Sequence, residues 1–139
     1  MPESMILLKA LTPEARAALG GNFCQITKFP FRVGRESRLK LNASFAGSRR
    51  QTNPIPNNDL YLVETGTLIN VSREHFLIDA QGNGFVLVDR GSACGTLVEG
   101  ETVGEKRKGG SRQLNSNDVI IVGTSESRFI FKFLVVENS

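Results

Sequence analysis

Aromatic and metal-binding residues are scarce in this sequence. Its 139 residues include no tryptophan, one tyrosine, one histidine and two cysteines. A β-barrel that binds nucleic acid stacks bases on exposed aromatic side chains, yet most of the phenylalanines here fall inside apolar runs. One histidine and two cysteines are too few ligands for a usual zinc site. We therefore predict no nucleic-acid partner, no metal and no cofactor.

Long apolar runs and targeting signals are also missing. Residues 129–136 form an apolar stretch, but Lys132 interrupts it, and it is far shorter than the roughly 20 residues of a membrane-spanning helix. Residues 1–4 lack the basic start and the apolar region of a secretory signal. We therefore expect a cytoplasmic protein with no membrane partner, in which Cys24 and Cys94 remain thiols.

Short apolar runs, separated by glycine, asparagine, serine or proline, recur along the whole chain. Many short strands at such spacing are typical of a β-sandwich or barrel. The predicted strands are residues 5–8, 24–29, 31–33, 60–63, 76–78, 85–88, 96–98, 119–122 and 129–136. We expect an all-β sandwich of two mostly antiparallel sheets. It should form a single stand-alone domain over residues 1–139, with its core at about 5–136.

One short helix, near residues 13–19, interrupts the strand pattern. Thr12 is a good N-cap, Pro13 suits the first helical position, and Gly20 is a typical stop. A helix of about two turns is marginal alone, so it must depend on packing against the rest of the protein.

The net charge of +3 comes mainly from two basic clusters. The first contains Arg32, Arg35, Arg38, Lys40, Arg49 and Arg50, and the second contains Lys106, Arg107, Lys108 and Arg112. Basic clusters indicate either an anionic partner or a solvated surface that keeps the protein soluble. For the second cluster taken alone, we favour the solvated surface.

Three short motifs lie at the ends of predicted strands. They are Gly34-Arg35, Ser72-Arg73-Glu74-His75, and Gly-Ser-Ala-Cys-Gly-Thr at residues 91–96. An arginine fork holds two phosphate oxygens at once, and a serine hydroxyl adds a small donor. Loops at one end of a sandwich converge on a ligand while the strands hold them in place. Together the motifs predict a site for a phosphorylated group.

In their order and strand context, these motifs resemble those of the forkhead-associated (FHA) family. The family pattern is Gly-Arg, then Ser-x-x-His, then Asn-Gly-Thr, then a further glycine that matches Gly100. The resemblance extends over roughly residues 5–136. It implies a non-enzymatic module that binds phosphothreonine on a partner protein.

The resemblance also implies residue roles. It assigns the phosphothreonine site to Arg35, Ser72, Arg73, Cys94 and Thr96, and supporting positions to Gly34, His75 and Gly95. Arg35 and Ser72 are the expected direct phosphate contacts, and Arg73 is a helper. His75 is expected to form hydrogen bonds within the loops. A pocket for the threonine methyl group gives the family its preference for phosphothreonine over phosphoserine.

Cys94 departs from the family pattern, which has an asparagine here that clamps the peptide backbone. Cysteine is a poor hydrogen-bonding group, so one or two bonds of about 0.5–1.5 kcal/mol each are expected to be missing. The alternative is that Asn70, Asn42 or another loop residue replaces the clamp. Glu99 likewise stands where a second asparagine is common.

A long polar segment, about residues 36–58, follows the first motif and includes Arg49 and Arg50. Long loops without regular structure are frequently functional. By the resemblance, this segment should overhang the binding end. Arg49, Arg50 and Asn70 are candidates for contacts with residues that flank the phosphothreonine. The equally weighted alternative is a loop with no role in ligand binding.

Two further functions are alternatives to phosphothreonine binding. A catalytic centre would pair Cys94 with His75, oriented by Asp79 or Asp89, but no cysteine-hydrolase signature surrounds Cys94. We therefore predict that the protein is not an enzyme. A phosphate-independent scaffold or oligomerisation module is the main alternative. The predicted partner is a threonine-phosphorylated protein or peptide, and the protein is expected to be a monomer, with an oligomer left open.

Overall fold

The computed structural model describes residues 3–36, 57–64 and 70–138. Within them the chain forms eleven strands and one helix. The strands are β1 Glu3–Ala10, β2 Phe23–Gln25, β3 Phe31–Arg35, β4 Leu60–Leu62, β5 Phe76–Gln81, β6 Gly84–Asp89, β7 Thr96–Val98, β8 Glu101–Val103, β9 Gly110–Leu114, β10 Val119–Val122 and β11 Ile130–Asn138, and the helix α1 is Pro13–Leu19.

The strands form two sheets. The six-stranded sheet has the order β2-β1-β11-β10-β7-β8, and the five-stranded sheet has the order β4-β3-β5-β6-β9. Neighbouring strands pair antiparallel, except that β3 and β4 are parallel. The predicted all-β sandwich of two mostly antiparallel sheets is therefore confirmed.

The core lies between the inner faces of the two sheets. On β11, Phe131 and Phe133 are fully buried, while Lys132 between them is only partly covered. This alternation follows from the pleat, which turns successive side chains to opposite faces. Phe85 of β6 meets Phe133 edge to face, with 5.4 Å between ring centroids. This contact packs the five-stranded sheet against the six-stranded sheet.

The helix begins and ends where the sequence predicts. Thr12 is the N-cap, and its hydroxyl oxygen accepts a hydrogen bond from the Ala15 amide at 3.2 Å. Pro13 is the first helical residue, and Gly20 ends the helix with φ at 75°. Ala15 is buried against the core, which supplies the packing that so short a helix needs. Across the described residues, no helix has the length and apolar character to cross a membrane.

Two strands were not predicted. β8 and β9 have few of the β-branched and aromatic residues that mark strands, and only Val103 and Leu114 among them are buried. β9 forms because β6 supplies a hydrogen-bonding partner along its whole length. β2 is also shorter than predicted, since it ends at Gln25.

The predicted long loop falls mostly outside the described residues, which exclude 37–56 and with them Arg49 and Arg50. Asn58, at the far end of that segment, is buried with 2% of its surface exposed. β1 and β11 pair from Glu3 opposite Asn138 onward. The two ends of the described chain therefore belong to one sheet. The assignment of residues 1–139 to a single domain stays a prediction.

Candidate functional site

Strand register brings three chain segments to one end of the five-stranded sheet. β3 pairs antiparallel with β5, and Val33 lies opposite Phe76. β5 pairs antiparallel with β6, which places Asp89, the last residue of β6, opposite Phe76 as well. The end of β3, residues 70–75 before β5, and residues 90–95 after β6 are therefore neighbours. These are the segments that carry the three sequence motifs.

Hydrogen bonds tie the three motifs together. The Arg35 amide donates to the Ser72 carbonyl oxygen at 2.9 Å, and the His75 amide donates to the Val33 carbonyl oxygen at 3.0 Å. The third motif joins them because the Ala93 amide donates to the Ser72 hydroxyl oxygen at 3.1 Å. Ser72 thus bonds to both other segments, through its carbonyl and its side chain.

His75 is fully buried and makes a second connection between the segments. The Ser72 amide donates to Nδ1 of His75 at 3.0 Å, so Nδ1 carries no proton. Nε2 then carries the proton and donates to the Gly95 carbonyl oxygen at 2.7 Å. Removal from water lowers the pKa of His75, and the bond to Gly95 with the charges of Asp89 and Glu64 opposes this only in part. The ring is neutral, and both of its nitrogens are used within the loops.

Asp89 holds the connection between β6 and β7 in one conformation. Its Oδ1 accepts from the amides of Gly91 and Ser92 at 3.0 and 2.8 Å. Its Oδ2 accepts from the hydroxyls of Ser92 and Thr96 at 2.6 and 2.9 Å. Asp89, Ser92 and Thr96 are all buried. A buried carboxylate needs such a set of donors, and here they fix the shape of the third motif.

Gly34 lets two segments approach closely behind Arg35. A Cβ atom at this position would overlap the Arg73 carbonyl oxygen and would lie 2.6 Å from Nδ2 of Asn58. That nitrogen donates to the Arg73 carbonyl oxygen at 2.7 Å, and Oδ1 of Asn58 accepts from Arg90 at 2.8 Å. Asn58 therefore supports the second motif from behind and links it to Arg90.

The segments surround a cleft of about 610 Å³. Its lining includes four arginines, Arg35, Arg73, Arg90 and Arg107, and one carboxylate, Glu74. Oε1 of Glu74 lies 3.7 Å from Nη2 of Arg90, so this carboxylate balances one of the four cations. The cleft is strongly cationic, and such a surface attracts anionic ligands.

Arg35 lines this cleft and has one donor without a partner among the described residues. Its Nε is buried, and no acceptor among the described residues bonds to it. Buried polar atoms are nearly always paired, and an unpaired donor costs about 1–3 kcal/mol. Ser72 accepts through its hydroxyl oxygen, which leaves the hydroxyl proton to donate elsewhere. Arg35 and Ser72 therefore offer unused donors to a ligand.

The predicted contact residues fall into two groups. Those that line the cleft are Arg35, Ser72, Arg73, Cys94 and Asn70. Thr96 does not line it: the residue is fully buried and its hydroxyl donates to Asp89. The predicted contact of Thr96 with the ligand is thus replaced by a structural role, because the carboxylate of Asp89 draws the hydroxyl inward.

The predicted supporting residues lie behind the cleft surface. They are Gly34, His75 and Gly95, all of them buried. Arg49, Arg50 and Asn42 lie outside the described residues. Cys24 and Cys94 are not joined by a disulfide bond.

Two cleft arginines were missed by the sequence motifs. Arg90 directly precedes the third motif, and that adjacency was the available signal. Arg107 belongs to the basic cluster that we assigned to solvent. Its amide donates to the Ser92 carbonyl oxygen at 3.0 Å, which holds its turn against the third motif. No local pattern indicates a contact between segments so far apart in the chain.

A cysteine-based catalytic centre lacks its base in this arrangement. Both ring nitrogens of His75 are bonded to backbone groups, and the Asp89 carboxylate is occupied by loop donors. Asp79 accepts from the Ala80 amide at 2.9 Å. Within the described parts of the chain, no three histidine, cysteine or acidic residues are grouped to hold a metal ion.

A family model described as "FHA domain" matches residues 31–123, more than half of the chain and all three motifs. The chain belongs to the FHA domain family. FHA domains are interaction modules that recognise phosphopeptides and are generally non-enzymatic. A search of curated proteins found no match.

Solved FHA structures share this fold at low identity. The FHA domain of CT664 from Chlamydia trachomatis is 22% identical, with a TM-score of 0.57 over 97% of this chain and 99% of that one. The kinase-interacting FHA domain of kinase associated protein phosphatase from Arabidopsis is 21% identical, with a TM-score of 0.63 over 98% and 97%. Mycobacterium tuberculosis EmbR, in complex with a low affinity phosphopeptide, is 20% identical, with a TM-score of 0.60 over 97% of this chain and 25% of EmbR. At these identities the likeness shows the fold.

Gly34→Ala is expected to destabilise this FHA domain. The added methyl group would overlap the Arg73 carbonyl oxygen, and forcing the segments apart costs about 1–3 kcal/mol. Urea denaturation measures the change in the free energy of unfolding. Gly84→Ala is the matched control, because Gly84 also lies on a strand of this sheet and nothing lies within 4 Å of its added Cβ. Equal effects of the two substitutions would contradict the close approach.

Stability is expected to fall as pH is lowered below about 6.5, the ordinary pKa of histidine. Burial lowers the pKa of His75 in the folded state, so below 6.5 the unfolded chain binds more protons than the folded one. Protonation would also place a proton on Nδ1 against the Ser72 amide. Urea denaturation between pH 7.5 and pH 5.5 measures the loss.

Because the chain has one histidine, its ring signals in NMR report His75 directly. A titration midpoint at or above 6.5 would contradict the prediction. His75→Gln is the control variant, and its stability is expected to stay constant across the same pH range.

Proposed function

We propose that this FHA domain binds phosphothreonine on a partner protein through Arg35, Ser72 and Arg73. The observation that carries the proposal is the buried Nε of Arg35, which has no acceptor among the described residues, in a cationic cleft that Ser72 also lines. A ligand with several strong acceptors and negative charge would satisfy both donors at once.

Phosphothreonine meets these requirements. It carries a charge of about −1.5 to −2 at neutral pH and three acceptor oxygens. Arg35 would hold two oxygens with its planar fork, and the Ser72 hydroxyl would donate to the third. Arg73 is exposed at the rim of the cleft and adds a second cation. Because the backbone bonds of Ser72 fix this loop to β3, the donors keep their spacing before a ligand arrives.

The observations favour ligand binding over a phosphate-independent scaffold. In a scaffold, the Nε of Arg35 would stay buried without an acceptor among the described residues, at a cost of about 1–3 kcal/mol. Four arginines around one cleft would also repel one another, and the described lining residues include a single carboxylate to offset them. A bound phosphate removes both costs. EmbR, which has the same fold, was solved with a phosphopeptide, and this supports a ligand of the same class here.

The preference for threonine over serine depends on a small apolar surface beside the phosphate. Val71 and Ala93 line the cleft next to Ser72 and Cys94. Burying one methyl group contributes about 0.8 kcal/mol, which corresponds to about a fourfold preference.

We propose that residues 1–139 act as one non-enzymatic domain, in the cytoplasm and as a monomer.

Arg35→Ala is expected to weaken the binding of a phosphothreonine peptide about 10- to 100-fold, because hydrogen bonds to charged groups contribute about 1.5–3 kcal/mol. Arg35→Lys keeps the charge without the fork and should fall between wild type and Arg35→Ala. The peptide is selected from a degenerate phosphothreonine library, and titration calorimetry gives its Kd.

Arg16→Ala is the matched control, since Arg16 is an exposed arginine of α1 that does not line the cleft. The unphosphorylated and the phosphoserine forms of the peptide complete the comparison. Equal binding of the phosphopeptide by wild type and Arg35→Ala would sink the proposal and favour the scaffold.

Cys94→Asn is expected to raise the affinity for the same peptide about 2- to 10-fold. Cys94 lines the cleft where the family has its clamping asparagine, and each regained hydrogen bond contributes about 0.5–1.5 kcal/mol. Cys94→Ser, which is small and reaches less far, is the control. Unchanged affinity in Cys94→Asn would show that another residue, such as Asn70, already supplies the clamp.

A further inference from the structure

Arg107 is a cleft arginine that the proposed phosphate contacts leave unused. It is exposed and lines the same cleft as Arg35. Among the residues that the structure describes, no carboxylate forms an ion pair with Arg107. Arg90, by contrast, donates to the Asn58 side chain and faces Glu74. Of these two arginines, Arg107 is the one available to a ligand.

The backbone of the turn does not favour arginine at this position. Lys106 and Arg107 have φ angles of 54° and 64°, a region that costs roughly 1–2 kcal/mol for a residue with a Cβ atom. Glycine would adopt it at no steric cost. The turn is nevertheless held against the third motif, since the Lys106 amide donates to the Ala93 carbonyl oxygen at 3.1 Å and the Arg107 amide to Ser92 at 3.0 Å. Strain next to a ligand cleft points to a use of the side chain.

The charges of the cleft leave room for a second anion. A phosphate with a charge of about −2 would be balanced by Arg35 and Arg73. Glu74 balances Arg90. Among the described residues that line the cleft, the positive charge of Arg107 then remains unbalanced. A cleft of about 610 Å³ also extends well beyond a single phosphate group and holds neighbouring parts of a peptide.

We infer that Arg107 binds a second anionic group on the phosphopeptide, either an aspartate or glutamate carboxylate or another phosphate close in sequence to the phosphothreonine. The guanidinium fork fits both groups. The inference rests on the proposed phosphothreonine site and gives that site a ligand class: acidic or multiply phosphorylated segments. Arg107 acts as a specificity residue, since it discriminates between peptides that all carry the phosphothreonine.

The test uses a phosphothreonine peptide with alanine at every flanking position. In one derived series, aspartate replaces each alanine in turn, and in a second series phosphoserine does so. Fluorescence anisotropy gives the Kd of each peptide for the wild-type protein. At least one of these substitutions is expected to lower the Kd about three- to fivefold, a change that corresponds to the free energy of an exposed ion pair. The two series distinguish a carboxylate from a second phosphate.

Arg107→Ala is expected to lose this gain, so that it binds the acidic and the all-alanine phosphopeptides with equal affinity. Lys106→Ala is the matched control, because Lys106 belongs to the same turn and has a similar φ but does not line the cleft. Both variants keep a Cβ atom and hence the same backbone strain. Lys106→Ala should therefore retain the full gain.

The outcomes separate this inference from the proposed function. If the all-alanine phosphopeptide binds tighter than its unphosphorylated form but no acidic position adds affinity, only the role of Arg107 is overturned. The same holds if Arg107→Ala keeps the gain. If phosphorylation adds nothing in any peptide, the proposed function is overturned and this inference goes with it.

Discussion

The site depends on hydrogen bonds that join three chain segments at one end of the five-stranded sheet. Ser72 and His75 lie at their centre: Ser72 bonds to Arg35 and Ala93, and His75 bonds to Val33 and, through its ring, to Gly95. Since each bond links residues on different segments, none of the segments can shift alone. The donors that we propose for a phosphate are therefore positioned by the scaffold, which lowers the conformational entropy lost when a ligand binds.

Charged side chains are distributed unevenly around these three segments. The carboxylates near the cleft are engaged in structure, since Asp89 binds loop amides and hydroxyls and Glu64 accepts from the backbone amides of Asn70 and Val71. Four arginines line the cleft, and Glu74 is the carboxylate among its described lining residues. The Nε of Arg35 is buried and has no acceptor among the described residues. Such an unpaired donor lowers the stability of the fold, and in the proposed function a bound anion would supply its partner.

Much of the fold was predictable because local sequence patterns indicate many of its helix and strand positions. The cap, first-position proline and terminal glycine of α1 all stand in the sequence, and β10 is an uninterrupted apolar run. β9 was missed because Gly-Ser-Arg-Gln-Leu has no apolar alternation, and its strand conformation comes from pairing with β6. The shortened β2 has the same kind of cause, since its pairing with β1 ends at Gln25 opposite Leu7.

The sequence by itself determined the β-rich pattern, the order of the three motifs and the types of donor they carry. Arg35 and Ser72 were predicted from the sequence because an arginine and a serine near strand ends have the chemistry of a phosphate site. Only the tertiary structure decided that Thr96 turns inward to Asp89, that Arg90 and Arg107 reach the cleft, and that the Nε of Arg35 has no acceptor among the described residues. The physical reason is that burial and hydrogen-bond partners are set by segments far apart in the chain, which no local pattern encodes.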